Sequence, residues 1–300
     1  MSKFKAWMGA FRLRTLPLAL AGILLGSFLS ASVGEHHWNI TWMAILTATL
    51  LQVLSNLAND YGDFSKGTDN DNRVGPERAL QSGAINPSQM KTALYIFGFL
   101  SLISGIVLLW LSFGTEKLLY ALIFFLLGIS AIWAAVKYTV GKSAYGYQGL
   151  GDLFVFLFFG WISVIGVYFL QVQTIDLTLF LPASCIGLLS AGVLNLNNTR
   201  DIKNDKESNK ITLAVRLGFE NAKKYQAFLL LLVIVFSLTF TLNTANGMIQ
   251  QLYWVSMAPL CMVIFKTLNT NTPRELDPLL KVQALSTLLY ALTFGLGQIL

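Results

Sequence analysis

The sequence predicts an all-α integral membrane protein in which nine transmembrane helices surround a central cavity. Hydrophobic residues make up 55% of the 300 residues, and charged residues only 12%. A soluble domain carries roughly 25% charged residues, so a chain this poor in charge is typical of the lipid bilayer. No linker or change of composition divides the chain, and we expect residues 1–300 to form a single transmembrane domain.

Nine apolar stretches are long enough to cross the hydrocarbon core, which takes ~17–25 helical residues. They lie near 16–33, 41–58, 91–113, 117–137, 152–173, 178–197, 222–243, 251–268 and 282–299. An acidic segment follows the second stretch and another follows the sixth. This repetition predicts two pseudo-repeated four-helix units plus one further helix, with the two acidic segments facing one cavity.

The basic residues favour one orientation of these spans. With the N-terminus in the cytoplasm, all of the 21 Lys and Arg residues except Lys117 fall on the cytoplasmic side. Cytoplasmic loops carry an excess of Lys and Arg, so an odd number of spans places the C-terminus outside. The net charge of +6 then reflects topology and gives no reason to expect nucleic acid as a partner.

Two acidic motifs of matched spacing carry the strongest functional signal. One comprises Asn56, Asp60 and Asp63, and the other Asn197, Asp201 and Asp205. On a helix, each set lies on a single face. Four carboxylates beside apolar segments repel one another unless a cation lies among them. Oxygen ligands without nearby Cys or His suit a hard ion, and magnesium sites typically add phosphate oxygens of a substrate.

The alternative interpretation of each motif is structural, because Asn and Asp also cap helix ends and solvate loops. Two copies with the same spacing, both flanked by basic residues, favour magnesium that holds a diphosphate. No charged residue lies near the middle of a predicted span, which counts against an ion-driven transporter.

Basic residues near the motifs are candidate diphosphate ligands, since guanidinium groups bind phosphate oxygens with two parallel hydrogen bonds. The candidates are Lys66, Arg73 and Arg78 after the first motif, and Arg200 and Lys210 in the second loop. Any one of them can instead simply belong to the cytoplasmic excess of positive charge.

The segment 138–152 combines Tyr138, Lys142, Tyr145 and Tyr147 with several glycines. Its glycine spacing is not a dinucleotide fingerprint, because no βαβ unit surrounds it. Tyrosines and a lysine around an irregular turn can hold an aromatic substrate or stabilise its anion. They can equally form an aromatic belt at the membrane interface, and both interpretations remain open.

Several segments between residues 14 and 218 resemble the UbiA superfamily of intramembrane aromatic prenyltransferases. Within it they are most similar to the branch that acts on 1,4-dihydroxy-2-naphthoate in menaquinone biosynthesis. The matching segments are 14–17, 55–63, 138–141, 145–152 and 195–218. The chain departs from the superfamily pattern after the first motif, where Phe64 and Gly67 occupy the positions of a further acid and Asp69 is the next one.

The resemblance implies an enzyme with magnesium as its cofactor. It would transfer a polyprenyl group from polyprenyl diphosphate to 1,4-dihydroxy-2-naphthoate, release carbon dioxide and give demethylmenaquinone. The implied location is the bacterial cell (inner) membrane, with the active site on the cytoplasmic side and membrane lipid around the helices. Alternatives are another acceptor such as 4-hydroxybenzoate, or, more distantly, a CDP-alcohol phosphotransferase or a lipid-diphosphate transporter.

The resemblance also implies roles for individual residues. The implied magnesium ligands are Asp60, Asp63, Asp201 and Asp205, assisted by Asn56 and Asn197. The four aspartates and Lys142 are the predicted catalytic residues. The predicted substrate-binding residues are Asn56, Asn59, Lys66, Arg73, Arg78, Tyr138, Tyr145, Tyr147, Asn197, Arg200 and Lys210.

Overall fold

The computed structural model describes residues 3–70, 74–75, 78–244 and 247–300, and within these ranges the regular structure is helical. In the same ranges nine helical segments are long and apolar enough to cross a membrane. The predicted number of spans is therefore confirmed, and the chain is a multi-pass membrane protein.

The first four spans are built from five helices. These are α1 (Lys3–Phe11), α2 (Leu16–Ser32), α3 (Trp38–Ser65), α4 (Pro87–Phe113) and α5 (Leu118–Lys137). The first span includes both α1 and α2, which a 3-10 turn (Leu13–Thr15) connects. The break before this turn lies at Arg12, whose backbone is left-handed with φ 48°.

The fifth span changes its helical hydrogen bonding along its length. It consists of α6 (Gly151–Val155), a π-helical segment (Phe156–Ile162) and α7 (Ser163–Val172). Short π-helical segments occur mostly as local insertions within α-helices and are frequent at functional sites.

The remaining spans and the loop between them contain six helices. They are α8 (Phe180–Arg200), α9 (Ile202–Glu207), α10 (Leu213–Leu217), α11 (Phe219–Thr244), α12 (Trp254–Asn269) and α13 (Asp277–Ile299). Further 3-10 turns lie at Tyr145–Gln148, Leu177–Leu179, Ile249–Gln251 and Pro273–Leu276.

Several helices extend beyond the predicted apolar stretches, among them α3 and α4. Helix α3 continues to Ser65, so the whole first acidic motif lies on a helix as predicted. Helix α4 begins at Pro87 because Asn86 accepts a hydrogen bond from the backbone N–H of Gln89 (2.8 Å), whose side chain accepts one from Asn86 N–H (3.2 Å). Proline suits the first helical position, where a backbone N–H has no helical partner.

The helices form two groups on either side of α2. Helices α3, α4 and α5 pack on one another, whereas α8 packs against α11, α13 and the π-helical segment. Helix α2 contacts α3, α7 and α13, so it lies where the two groups meet. The largest buried apolar cluster belongs to the second group and includes Leu25, Ile186, Val233 and Phe294.

Helix α2 approaches the fifth span closely because Gly22 and Gly26 lie on the contact face. A Cβ atom at Gly26 would lie 2.5 Å from the carbonyl oxygen of Val164, and one at Gly22 would lie 2.8 Å from that of Phe159. The GxxxG spacing thus indicates close helix packing, as it commonly does in membrane proteins.

Replacing Gly26 with alanine is expected to destabilise the protein by roughly 1–3 kcal/mol, because the new methyl group meets backbone and α2 must shift. Thermal unfolding of the detergent-solubilised protein measures the effect. Gly98→Ala on α4 is the matched control, since its Cβ atom meets nothing within 4 Å. Equal unfolding temperatures for the two variants would contradict the close approach of α2.

Candidate active site

A cavity of about 860 Å³ runs between the two helix groups. Its walls are mostly apolar and come from α4, α5 and the fifth span, with Ile106, Phe124, Phe158 and Phe169 among the lining residues. Its polar lining is concentrated where α3 and α8 end and the loops begin. The polar residues that line it include Arg12, Arg14, Asn56, Asn59, Asp63, Thr68, Arg78, Asn197, Asn198, Asp201, Asp205, Lys210 and Lys281.

Asp63, the second acid of the first motif, is 6% exposed and lines this cavity. The Tyr147 hydroxyl donates a hydrogen bond to Asp63 Oδ1 (2.8 Å) and lies 2.6 Å from the Thr68 hydroxyl. Burial first, and then the negative charge of Asp63, raise the pKa of Tyr147. Tyr147 therefore stays protonated, and its hydroxyl holds the Asp63 carboxylate in place by donating a hydrogen bond to it.

Asp60, the first acid of the same motif, lies behind the cavity and does not line it. It is 1% exposed and pairs with Arg12, and Arg78 Nη1 lies 3.4 Å from its Oδ1 atom. Arg12 reaches Asp60 because the left-handed backbone at Arg12 ends α1 beside α3. Asp60 thus anchors two arginine side chains that face the cavity.

The second motif keeps helical register although α8 ends within it. The backbone N–H of Asp201 donates to Asn197 O (3.1 Å), and that of Asp205 donates to Asp201 O (2.9 Å). The two aspartates are 5% and 3% exposed and both line the cavity. The prediction that Asn197, Asp201 and Asp205 share one face is consistent with this register.

Lys210 connects the two motifs. Its ammonium Nζ lies 3.3 Å from Asp63 Oδ2 and 3.8 Å from Asp205 Oδ1. Burial lowers the pKa of Lys210, but the charges of Asp63 and Asp205 outweigh burial and raise it overall. A permanent positive charge is thus held between one acid from each half of the chain.

Arg200 lies behind Asp201 and does not line the cavity. Its side chain is fully buried, and its Nε and Nη2 atoms donate to the two carboxylate oxygens of Asp201 at 3.0 and 2.6 Å. Nη2 also donates to Asn197 Oδ1 (2.9 Å), and Nη1 to Asp277 Oδ1 (2.5 Å). The structure therefore places Arg200 among carboxylates, and its predicted contact with substrate stays a prediction.

The predicted asparagines all line the cavity. Asn56 donates to Phe11 O and Thr15 Oγ1, both at 3.0 Å, which ties α3 to the start of α2. Asn59 Oδ1 lies 3.4 Å from the Thr139 hydroxyl, and Asn197 accepts from Arg200. Asn56 is thus engaged within the protein through its amide nitrogen, whereas Asn59 and Asn197 are engaged through their side-chain oxygens.

Of the three predicted tyrosines, two line the cavity and Tyr147 does not. Tyr138 and Tyr145 line the cavity, and Tyr145 is stacked on Phe154 with ring centroids 4.0 Å apart. Burial raises the pKa of both tyrosines. Tyr145 donates its hydroxyl to Ala134 O (2.9 Å), so its ring and not its hydroxyl faces the cavity.

Lys66, predicted after the first motif, and Lys142, predicted beside the tyrosines, differ in position. Lys66 lies 3.7 Å above the ring centroid of Tyr147, a cation–π contact that supports the hydrogen bond to Asp63. Lys142 is exposed and does not line the cavity. The catalytic role predicted for Lys142 stays a prediction, and Arg73 lies outside the described residues.

The structure adds residues that sequence reasoning missed. Arg12, Arg14 and Lys281 line the cavity, and Asp277 contacts Arg200. The positive charge of Arg12 was visible in the sequence, but its partner Asp60 is 48 residues away. Asn204 is also missed, and its amide donates to Thr68 O (2.8 Å), which connects the two loops.

The donor set fits a hard divalent cation. Asp63, Asp201 and Asp205 line one end of the cavity, and Asn56, Asn59 and Asn197 also line it. The ammonium of Lys210 lies between Asp63 and Asp205. Oxygen-only ligand sets select magnesium or calcium over softer metals. Among the described residues, no three His, Cys, Asp or Glu side chains lie close enough to form a complete metal site. A phosphate-bearing ligand would therefore have to supply further oxygens.

Comparison with known proteins identifies relatives over nearly the whole chain. The sequence profile of the UbiA prenyltransferase family matches residues 19–289. The 1,4-dihydroxy-2-naphthoate octaprenyltransferase of Escherichia coli (strain K12) is 41% identical over 297 residues, which are 99% of this chain and 96% of the relative. The octaprenyltransferase of the same name from Mycobacterium tuberculosis is 36% identical over 293 residues, 97% of this chain and 96% of the relative.

Solved structures share the fold. A UbiA homolog from Aeropyrum pernix K1 in the apo form superposes with a TM-score of 0.68 at 15% identity, covering 97% of this chain and 96% of that one. A UbiA homolog from Archaeoglobus fulgidus bound to GPP and Mg²⁺ gives a TM-score of 0.60 at 17% identity, covering 95% and 99%. The predicted all-α membrane fold is confirmed.

Replacing Lys210 with methionine is expected to destabilise the metal-free protein by roughly 3 kcal/mol, because two buried carboxylates lose their shared cation. The raised pKa of Lys210 means that its contribution is fully present below its ordinary pKa of roughly 10.4, so assays near pH 7 measure all of it. Thermal unfolding with and without magnesium chloride measures the change, and magnesium should restore more stability in the variant than it adds to the wild type.

The control is Lys203→Met, which removes an exposed lysine from the same loop and should change stability by roughly 0.5 kcal/mol or less. If Lys210→Met behaved like this control, Lys210 would not hold the two motifs together.

Proposed function

We propose, on the premise that this chain belongs to the UbiA prenyltransferase family, that it transfers a polyprenyl group from polyprenyl diphosphate to 1,4-dihydroxy-2-naphthoate. Carbon dioxide leaves the ring during the transfer and pyrophosphate leaves the prenyl group, so the immediate product is the quinol form of demethylmenaquinone, which a separate oxidation converts to the quinone. The choice of acceptor is supported by relatives that are 36–41% identical over nearly the whole chain and are named for 1,4-dihydroxy-2-naphthoate. The chain is a prenyltransferase, and magnesium is its cofactor.

One observation carries the proposal: the charged end and the apolar walls belong to a single cavity. A polyprenyl diphosphate has the same division, with an anionic head and a long hydrocarbon tail. The head fits the end that carries Arg78, Lys210 and the acids, and the tail fits the walls formed by α4, α5 and the fifth span. A lipid-diphosphate transporter would bind the same kind of molecule, and membership of the UbiA prenyltransferase family is what favours prenyl transfer over transport.

The predicted magnesium ligands are Asp60, Asp63, Asp201 and Asp205, assisted by Asn56 and Asn197, and the cavity lining supports Asp63, Asp201 and Asp205 as direct ligands. Asp63 and Asp205 are the best placed, since both line the cavity and share Lys210. Asp60 acts from behind them by orienting Arg12 and Arg78. When bound, magnesium would neutralise diphosphate charge and make pyrophosphate a better leaving group.

The protein's own residues account for the other steps. Lys210 and the cavity-lining arginines hold the diphosphate and stabilise the negative charge that grows as the carbon–oxygen bond breaks. The apolar walls keep water from the allylic cation, so the electron-rich naphthoate ring is the available nucleophile. Tyr138 and Tyr145 line the same cavity, and aromatic side chains suit both a cation and a planar acceptor.

Lys66 and Tyr147 support the site without lining it. They hold Asp63 through the hydrogen bond and the cation–π contact. We further propose that residues 1–300 work as one transmembrane domain in a bacterial cell membrane, with membrane lipid around the helices. The loops that carry the acids are assigned to the cytoplasmic side because this orientation places 20 of the 21 Lys and Arg residues on that side.

Purified protein with magnesium and a long-chain prenyl diphosphate is expected to prenylate 1,4-dihydroxy-2-naphthoate and release one carbon dioxide per product. It should use 4-hydroxybenzoate at least ~10-fold less efficiently, because a one-ring acceptor loses apolar contact worth roughly 1–3 kcal/mol. Chromatography of the products and trapping of labelled carbon dioxide give the two rates.

The same mixture with a chelator in place of magnesium is the control and should give no product. A preference for 4-hydroxybenzoate, or a product that keeps its carboxyl group, would contradict the acceptor assignment while leaving prenyl transfer intact. Prenyl transfer at full rate without magnesium would contradict the site itself.

A further inference from the structure

We propose that Asp277, at the start of the last helix, is a positioning residue of the acidic site. Asp277 acts through Arg200 in two ways. It helps to fix the orientation of the Asp201 carboxylate, and its negative charge offsets the positive charge that Arg200 brings to the second motif. The proposal rests on the proposed function, since it concerns how the second motif binds a divalent cation.

The geometry at Arg200 provides the first argument. All three guanidinium nitrogens are engaged: Nε and Nη2 with Asp201, Nη2 also with Asn197, and Nη1 with Asp277 at 2.5 Å. The Arg200 side chain is fully buried. A planar guanidinium held at three edges cannot rotate, and the plane of the Asp201 carboxylate that it grips is fixed with it.

Charge provides the second argument. A bidentate guanidinium cancels much of the field of the carboxylate it binds, which weakens that carboxylate as a ligand for a cation. With Asp277, the group of Asp201, Arg200 and Asp277 carries two negative charges and one positive charge. The net single negative charge is the one that Asp201 alone would have offered.

Asp277 is the first residue of α13, and its side chain is 38% exposed. The positive end of a helix dipole stabilises a carboxylate there. Lys281 lies one turn further along α13 and lines the cavity. The same face of α13 therefore contacts the site through Asp277, which bonds to Arg200, and through Lys281.

Asp277 carries no local sequence signal, because it lies 77 residues beyond Arg200 and outside both acidic motifs. Only the packing of α13 against α8 brings them together. Residues that hydrogen-bond to metal ligands commonly change metal affinity by roughly 10–100-fold when they are replaced. Asp277 bonds to such a residue, Arg200, so we expect an effect at the lower end of that range.

The test is Asp277→Asn in the full-length protein, with Mn²⁺ as the probe ion in place of magnesium. Mn²⁺ binding is measured directly by electron paramagnetic resonance in the presence of geranyl S-thiolodiphosphate, which is not turned over. The variant should bind Mn²⁺ roughly 10-fold more weakly. The magnesium concentration for half-maximal transfer should rise by a similar factor, with turnover at saturating magnesium nearly unchanged.

Two further variants separate positioning from mere support of the fold. Glu275→Gln removes an exposed carboxylate two residues away and should bind Mn²⁺ like the wild type. Asp277→Glu restores the charge and should recover most of the affinity. If Asp277→Asn lowered the unfolding temperature but left Mn²⁺ affinity equal to that of Glu275→Gln, the proposal would be overturned. A wild-type protein that binds Mn²⁺ but transfers no prenyl group would instead count against the proposed function alone.

Discussion

The site depends on one electrostatic constraint: buried carboxylates from the two halves of the chain need positive charge between them. Asp63 and Asp205 are each 6% exposed or less, and the Lys210 ammonium lies within 4 Å of both. Unpaired charges in such surroundings would cost several kcal/mol each. The contact therefore fixes how the loop after α8 lies against the end of α3, and with it the end of the cavity where diphosphate would bind.

The other two acids of the motifs, Asp60 and Asp201, are paired with arginine instead of lysine. Asp60 is held by Arg12 and Arg78, and Asp201 by Arg200. Arg200 grips Asp201 from behind, whereas Asp60 lies behind the two arginines that hold it, and those arginines line the cavity. The second acid of each motif meets the ammonium of Lys210, so the arginine pairs and Lys210 together hold the ends of α3 and α8 in place.

How much of this could be predicted from sequence differs from residue to residue. The hydropathy gave nine spans, and the spacing of Asn56, Asp60 and Asp63 gave a common helix face, because both are local properties. The pairing of Arg12 with Asp60, 48 residues away, depends on the left-handed turn at Arg12 and on helix packing, which no local pattern encodes. The same holds for Asp277 and Lys281 on α13, a span that lies beyond the segments between residues 14 and 218 on which the resemblance rests.

The most direct measurement of the central claim is a double-mutant cycle between Asp63→Asn and Asp205→Asn, with Mn²⁺-dependent binding of geranyl S-thiolodiphosphate as the readout. If the two acids serve one shared cation site, the losses of binding free energy should be non-additive, with a coupling of at least about 1 kcal/mol. Losses that add to within about 0.5 kcal/mol would mean independent sites. That result would contradict the claim that the two halves of the chain build one diphosphate site.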